Sequence, residues 1–109
     1  ISKEGVKRLS QSNIRSDIDS MLLLPTNFSE GFMLNMDNRG KFEGEGGSFL
    51  IGNNAFGHVG FGGSSATFAD PDCKLAFGYL VNKLGGEYLI NERAQSLIDE
   101  AYKSIILNW

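Results

Sequence analysis

The one histidine of this 109-residue chain, His58, lies in the glycine-rich run AFGHVGFGGSSATFADPD, residues 55–72. An imidazole carries charge or transfers a proton near neutral pH, and glycines allow another backbone to approach closely. Alternation along a strand places Phe56, His58 and Gly60 on one face. The pattern places His58 beside a glycine on a face that another group could approach. From spacing alone, a surface histidine held by a hydrogen bond is the favoured interpretation, and a site at His58 and Gly60 is the alternative.

The opposite face of the same strand has a simpler interpretation. Val59 and Phe61 alternate to that face together with Ala55 and Gly57, and they suit a covered core. The run contains no G-x-G-x-x-G in frame and no G-K-[ST]. A nucleotide cofactor is therefore not predicted.

Three other side chains near this run could in principle act as nucleophiles. Ser64 and Ser65 have no base placed by a recognisable motif, so packing in a strand is the favoured interpretation. Cys73 is the one cysteine and lies in the turn-like DPDCK, where an ordinary turn residue is expected. One histidine, one cysteine and no clustered carboxylates predict neither a metal site nor another cofactor.

The elements that must position these residues follow from periodicity and turn signals. Short links through Gly62-Gly63 and DPDCK join three β-rich runs into an antiparallel meander. A closing helix has apolar residues at i, i+3, i+4 and i+7, with Asn91 as its N-cap. The predicted elements are a helix over 3–16 capped by Ser2, strands over about 31–36, 55–61, 64–69 and 75–82, and a helix over 92–107.

These elements predict an α+β fold, an antiparallel β-sheet with helices packed on it. A length of 109 residues suits one domain. The chain has a net charge of −3 and shows no stripe of basic residues of the kind that nucleic-acid binding requires. The apolar runs are too short to span a bilayer. No nucleic-acid partner and no membrane span are expected.

The run FGHVGFGGSSATFADPDCKLAFGYLVNKL resembles the C-terminal part of serine β-lactamase-like hydrolases. The similarity is to the class C and esterase branch, which includes metazoan β-lactamase-like proteins. That family carries K-T-G or H-x-G on the strand beside its active site, and the matching triplet here is His58-Val59-Gly60. LPTNFSEGFMLNM resembles the preceding strand, and LVNKLGG with the final helix resembles the C-terminus.

The resemblance implies a β-lactamase/transpeptidase-like fold and hydrolysis of esters or amides through an acyl-serine. His58 would position substrate and protons, Gly60 would let the substrate lie along the strand, and the N–H of Phe61 would complete an oxyanion hole. Val59 replaces the family's usual threonine and its hydroxyl. The resemblance therefore does not carry over β-lactam or carboxylated-peptide specificity.

Two motifs of that family are missing from these 109 residues: no S-x-x-K and no Y-x-N occurs. We expect a C-terminal piece that is inactive alone, with a small-molecule or peptide acyl substrate in the full-length parent. The alternative is a non-catalytic binding or assembly module of the same fold. Such a piece would expose a sheet edge and the apolar face of its helix, so self-association is expected.

Overall fold

A computed structural model describes residues 1–40, 47–86 and 89–107 of the chain. It contains a six-stranded antiparallel sheet whose strand order follows the chain, together with two helices, which confirms the predicted α+β class. The strands are β1 (Ile14–Ser16), β2 (Thr26–Phe28), β3 (Met33–Leu34), β4 (Phe56–Val59), β5 (Ser65–Asp70) and β6 (Leu75–Leu80). The helices are α1 (Lys3–Leu9) and α2 (Glu92–Leu107).

The predicted meander is confirmed in strands β4, β5 and β6. In its register His58 lies opposite Thr67, and Thr67 lies opposite Gly78. Strand β4 is shorter than predicted: it ends at Val59, and residues 61–63 form a 3₁₀ turn. The turn ends at Gly63, whose positive φ of 64° favours glycine.

Helix α2 covers one face of the sheet, as its periodicity predicts. Ala94 and Ile98 are completely buried, and the ring of Tyr102 stacks on Phe68 of β5 with centroids 5.7 Å apart. Asn91 caps the helix by accepting a 2.9 Å hydrogen bond from the N–H of Ala94. The buried cluster comprises Leu24, Met33, Phe49, Ile51, Ala55, Val59, Ala66, Phe68, Leu89, Ile90, Ala94 and Ile98.

The predicted helix over 3–16 is wrong in its second half. Ser2 caps its start as predicted, but α1 ends at Leu9, and Ser10 donates its N–H to the last carbonyls. Three of the next four residues, Ser10, Ser12 and Asn13, are weak helix formers that favour caps and turns. Pairing with β2 then draws Ile14–Ser16 into a strand.

The predicted strand over 31–36 is also too long. Only Met33 and Leu34 form β3, while Met36 makes an isolated bridge with Phe49. Gly31, with φ of 117°, turns the chain between β2 and β3. The sequence DNRGKFEGEGGS, residues 37–48, has four glycines and no periodicity, which predicts a loop; its residues 41–46 lie outside the described part of the chain.

The segment between β1 and β2 is organised by one carboxylate. Asp19 accepts hydrogen bonds from the N–H groups of Met21 (2.8 Å) and Leu22 (2.9 Å) and from the hydroxyl of Thr26 (3.1 Å). The two backbone bonds, with a smaller contribution from Thr26, lower the pKa of Asp19. This carboxylate thus fixes the chain as it enters β2.

Candidate functional site

His58 lies in the middle of β4 with its side chain exposed. Among the residues that the structure describes, its imidazole has no hydrogen-bond partner. His58 therefore lies on an open face of the sheet, as strand alternation predicts. The hydrogen bond expected for a structural surface histidine is not present among the described residues.

Gly60 follows β4 in an extended conformation, with φ of −85° and ψ of 158°. Its N–H donates a 2.9 Å hydrogen bond to the carbonyl of Ser65 in β5. A Cβ at position 60 would lie 2.5 Å from the Oγ atoms of both Ser64 and Ser65. A side chain at position 60 would therefore displace both hydroxyls from their present positions.

Phe61 does not face the core, so that part of the prediction is wrong. Its side chain is 58% exposed, whereas Val59 is 4% exposed. The extended chain ends at Gly60, and Phe61 begins the 3₁₀ turn, so strand alternation no longer applies to its side chain. The prediction for Val59 is confirmed.

The backbone around Phe61 leaves the strand pattern. The N–H of Gly60 points to β5, where it bonds the carbonyl of Ser65, and Phe61 then begins the 3₁₀ turn. Strand β3 reaches only to the pair of Met33 with Gly57. Within the described ranges, no strand pairs with β4 beyond that point on the β3 side, whereas β5 continues to pair with it at His58 and Val59.

The sheet face that carries His58 is opposite to the one covered by α2. Three cross-strand rows form it in β4, β5 and β6, and most of their side chains are small. His58, Thr67 and Gly78 of the middle row are all exposed. The rows are Phe56–Ala69–Ala76, His58–Thr67–Gly78 and Gly60–Ser65–Leu80.

An aromatic pair borders this face at one end of β4. Phe32, which lies just before β3, contacts Phe56 edge-on with ring centroids 5.3 Å apart. Phe56 shares the face of His58 because the two residues are two apart in a strand. The face therefore changes from aromatic at Phe56 to hydroxyl-bearing at Ser64 and Ser65, with the imidazole between.

A second polar cluster, which sequence reasoning missed, lies under α2. Asp70 is 3% exposed; its carboxylate accepts from the hydroxyl of Tyr102 (2.7 Å) and the N–H of Asp72 (3.0 Å). The Tyr102 oxygen in turn accepts from the N–H of Gly52 (2.8 Å). Burial, followed by the hydrogen bond to Asp70, raises the pKa of Tyr102. No local motif signals this cluster, because its members are distant in sequence.

Cys73 lies in the turn between β5 and β6, as predicted. Burial, and then the neighbouring Asp70, raise the pKa of its thiol. A thiol with a raised pKa holds little thiolate near neutral pH, so it is a poor nucleophile. The interpretation as a turn residue stands.

A cleft of about 510 Å³ lies away from His58, between α1 and the turn after β5. None of the predicted site residues lines it. Its lining residues are Ile1, Lys3, Val6, Lys7, Ser10, Gln11, Asn54, Pro71 and Asp72.

Neither a metal centre nor a membrane helix is found in the described part of the chain. No three histidine, cysteine or carboxylate side chains there lie close enough to bind one ion. No described helix has the length and apolar character to cross a bilayer.

Comparison with models of known protein families and with curated proteins finds no match to this chain.

Proposed function

We propose that these residues form the C-terminal part of a serine β-lactamase-like hydrolase with the β-lactamase/transpeptidase-like fold. The observation that supports this proposal most directly is the placement of the triplet His58-Val59-Gly60. His58 is the exposed residue of β4, and the described pairing with β3 ends at Gly57, just before this triplet. A substrate can therefore approach the imidazole.

The proposed reaction is hydrolysis of an ester or amide through an acyl-serine. A serine supplied by another part of the parent attacks the acyl carbonyl, and the leaving group departs with a proton. Water then cleaves the acyl-serine and releases the acid. Residues 1–109 contribute one wall of that site and are inactive alone.

Each predicted site residue has a defined task in this reaction. The N–H of Phe61 donates to the carbonyl oxygen as negative charge develops on it, an interaction worth about 3 kcal/mol of barrier. His58 holds or transfers a proton near the leaving group. Gly60 lets the substrate lie along the strand between these two groups, and a Cβ at this position would meet the hydroxyls of Ser64 and Ser65.

A covalent probe tests the proposal. A longer chain that carries this sequence at its C-terminal end is treated with a fluorophosphonate, and its intact mass and peptide map are measured. We expect one adduct, on a serine outside residues 1–109, and no adduct on the 109-residue chain used as a control. A folded longer chain that stays unmodified would favour the non-catalytic binding or assembly module.

A further inference from the structure

We propose that the exposed face of β4 selects substrates through the hydroxyls of Ser64 and Ser65. Resting on the hydrolase proposed above, this assignment concerns which acyl compounds bind. The two hydroxyls hold a neutral oxygen of the substrate, and the aromatic pair at the other end of the strand holds its apolar group. The ligand class is an uncharged ester or amide with an aromatic or bulky apolar substituent.

The two serine hydroxyls lie on the same face of the sheet as His58. Both Oγ atoms lie 2.5 Å from the point where a Cβ of Gly60 would stand. Gly60 shares the face of His58, so the hydroxyls lie beside the exposed imidazole. Ser64 can join Ser65 there because its backbone is helical, with φ of −66° and ψ of −28°, and does not follow the strand alternation.

The two serine hydroxyls are able to bind a ligand oxygen. Within residues 1–40, 47–86 and 89–107, neither side chain makes a hydrogen bond. Both residues are only partly exposed. A hydroxyl donates one hydrogen bond and accepts two, so the pair has capacity for a bound oxygen. No hydrogen bond joins either serine to His58, so a serine–histidine nucleophile is not assembled on this chain.

The aromatic pair at the other end of the face would contact the apolar group of the ligand. Phe56 and Phe32 form an edge-on pair, and Phe32 is 36% exposed. Gly60 lies four positions after Phe56, which corresponds to about 13 Å along a strand. A ligand that spans part of this length places its apolar group on the rings and its oxygen at the serines, across His58.

The test is a titration of the 109-residue chain with 4-phenylbutanamide, in which binding is monitored through the NMR chemical shifts of backbone amides and of the imidazole. We expect saturable shifts at His58, Gly60 and Ser65. Replacing both serines, Ser64→Ala with Ser65→Ala, removes two hydrogen bonds and is expected to weaken binding about ten-fold. Ser96→Ala on the exposed side of α2 is the matched control and leaves the affinity unchanged.

Two results would overturn the assignment: no saturable shift in the wild type, or equal affinity in the folded double variant. Butanamide, which lacks the ring, is expected to bind more weakly; equal binding would contradict the aromatic half. Tighter binding of 4-phenylbutyrate would contradict the neutral-oxygen class. Failure of fluorophosphonate labelling with this binding intact would instead overturn only the hydrolase.

Discussion

The hydroxyl of Tyr102 in α2 donates a 2.7 Å hydrogen bond to the buried carboxylate of Asp70 in β5. The same hydroxyl accepts from the N–H of Gly52, and a Cβ at Gly52 would stand 2.1 Å from Asp70 Oδ2. Glycine at position 52 is therefore required for this contact. The contact fixes α2 on the covered face of the sheet and leaves the face of His58 open.

Tyr102→Phe is expected to lower the free energy of unfolding by about 1–3 kcal/mol, because Oδ2 of buried Asp70 loses the phenol donor and the Gly52 N–H loses its acceptor. The pKa of Tyr102 is raised, so the stability from its neutral phenol is present below the ordinary phenol pKa of about 10 and is lost as pH rises beyond it. Urea unfolding of both proteins from neutral to alkaline pH checks this. A constant difference across that range would contradict it.

Gly57→Ala is expected to destabilise the sheet by about 3 kcal/mol or more, because the backbone there cannot relax cheaply. The new Cβ would lie 2.0 Å from the carbonyl oxygen of Thr67 and 2.6 Å from Cβ of Phe68. Gly78→Ala in β6 is the matched control, since a Cβ at Gly78 meets nothing within 4 Å. Thermal unfolding should separate the two variants; similar midpoints would contradict the close packing of β4 on β5.

Asp19→Asn is expected to reduce the loss of stability in acid. The lowered pKa of Asp19 means that its contribution is present above the ordinary aspartate value and is lost as pH falls through the folded-state value. The difference in unfolding free energy between wild type and variant should therefore shrink from about pH 7 to about pH 2. Asp17→Asn removes the same charge nearby and serves as the control. A difference that does not change with pH would contradict the assignment.

Leu80→Lys is expected to weaken self-association of the isolated chain. β6 ends the sheet within the described residues, and Leu80 on it is 81% exposed. An open apolar edge favours pairing with a second copy, and lysine on an edge strand opposes it. Light scattering over a concentration series should show association in the wild type and less in the variant. A wild type that stays monomeric throughout would contradict this expectation.

The parts of the fold that sequence predicted are those governed by local rules. Helix α2 begins and ends where its apolar period and Asn91 place it. The meander follows from two short turns between β-rich runs. Both signals lie within a few residues of the element that they define.

The parts that sequence missed depend on distant partners. Ile14–Ser16 forms a strand only because β2 lies beside it, and the bond between Asp70 and Tyr102 joins residues 32 apart in sequence. At the site, the exposure of His58 followed from strand alternation. The side chain of Phe61 did not follow it, because the strand ends before that residue. Both serine hydroxyls lie near Gly60 only because the backbone of Ser64 is helical, and no local sequence pattern indicated that conformation.

The most direct test of the central claim is the rate of fluorophosphonate labelling of the longer chain with His58→Ala. His58 is exposed, so the substitution should change the free energy of unfolding by no more than about 0.5 kcal/mol. We predict that labelling slows by about 10²-fold or more, while Thr67→Ala, its exposed cross-strand neighbour, changes the rate by less than about 2-fold. Labelling of the folded His58→Ala protein at the wild-type rate would contradict the claim that this strand forms a wall of the active site.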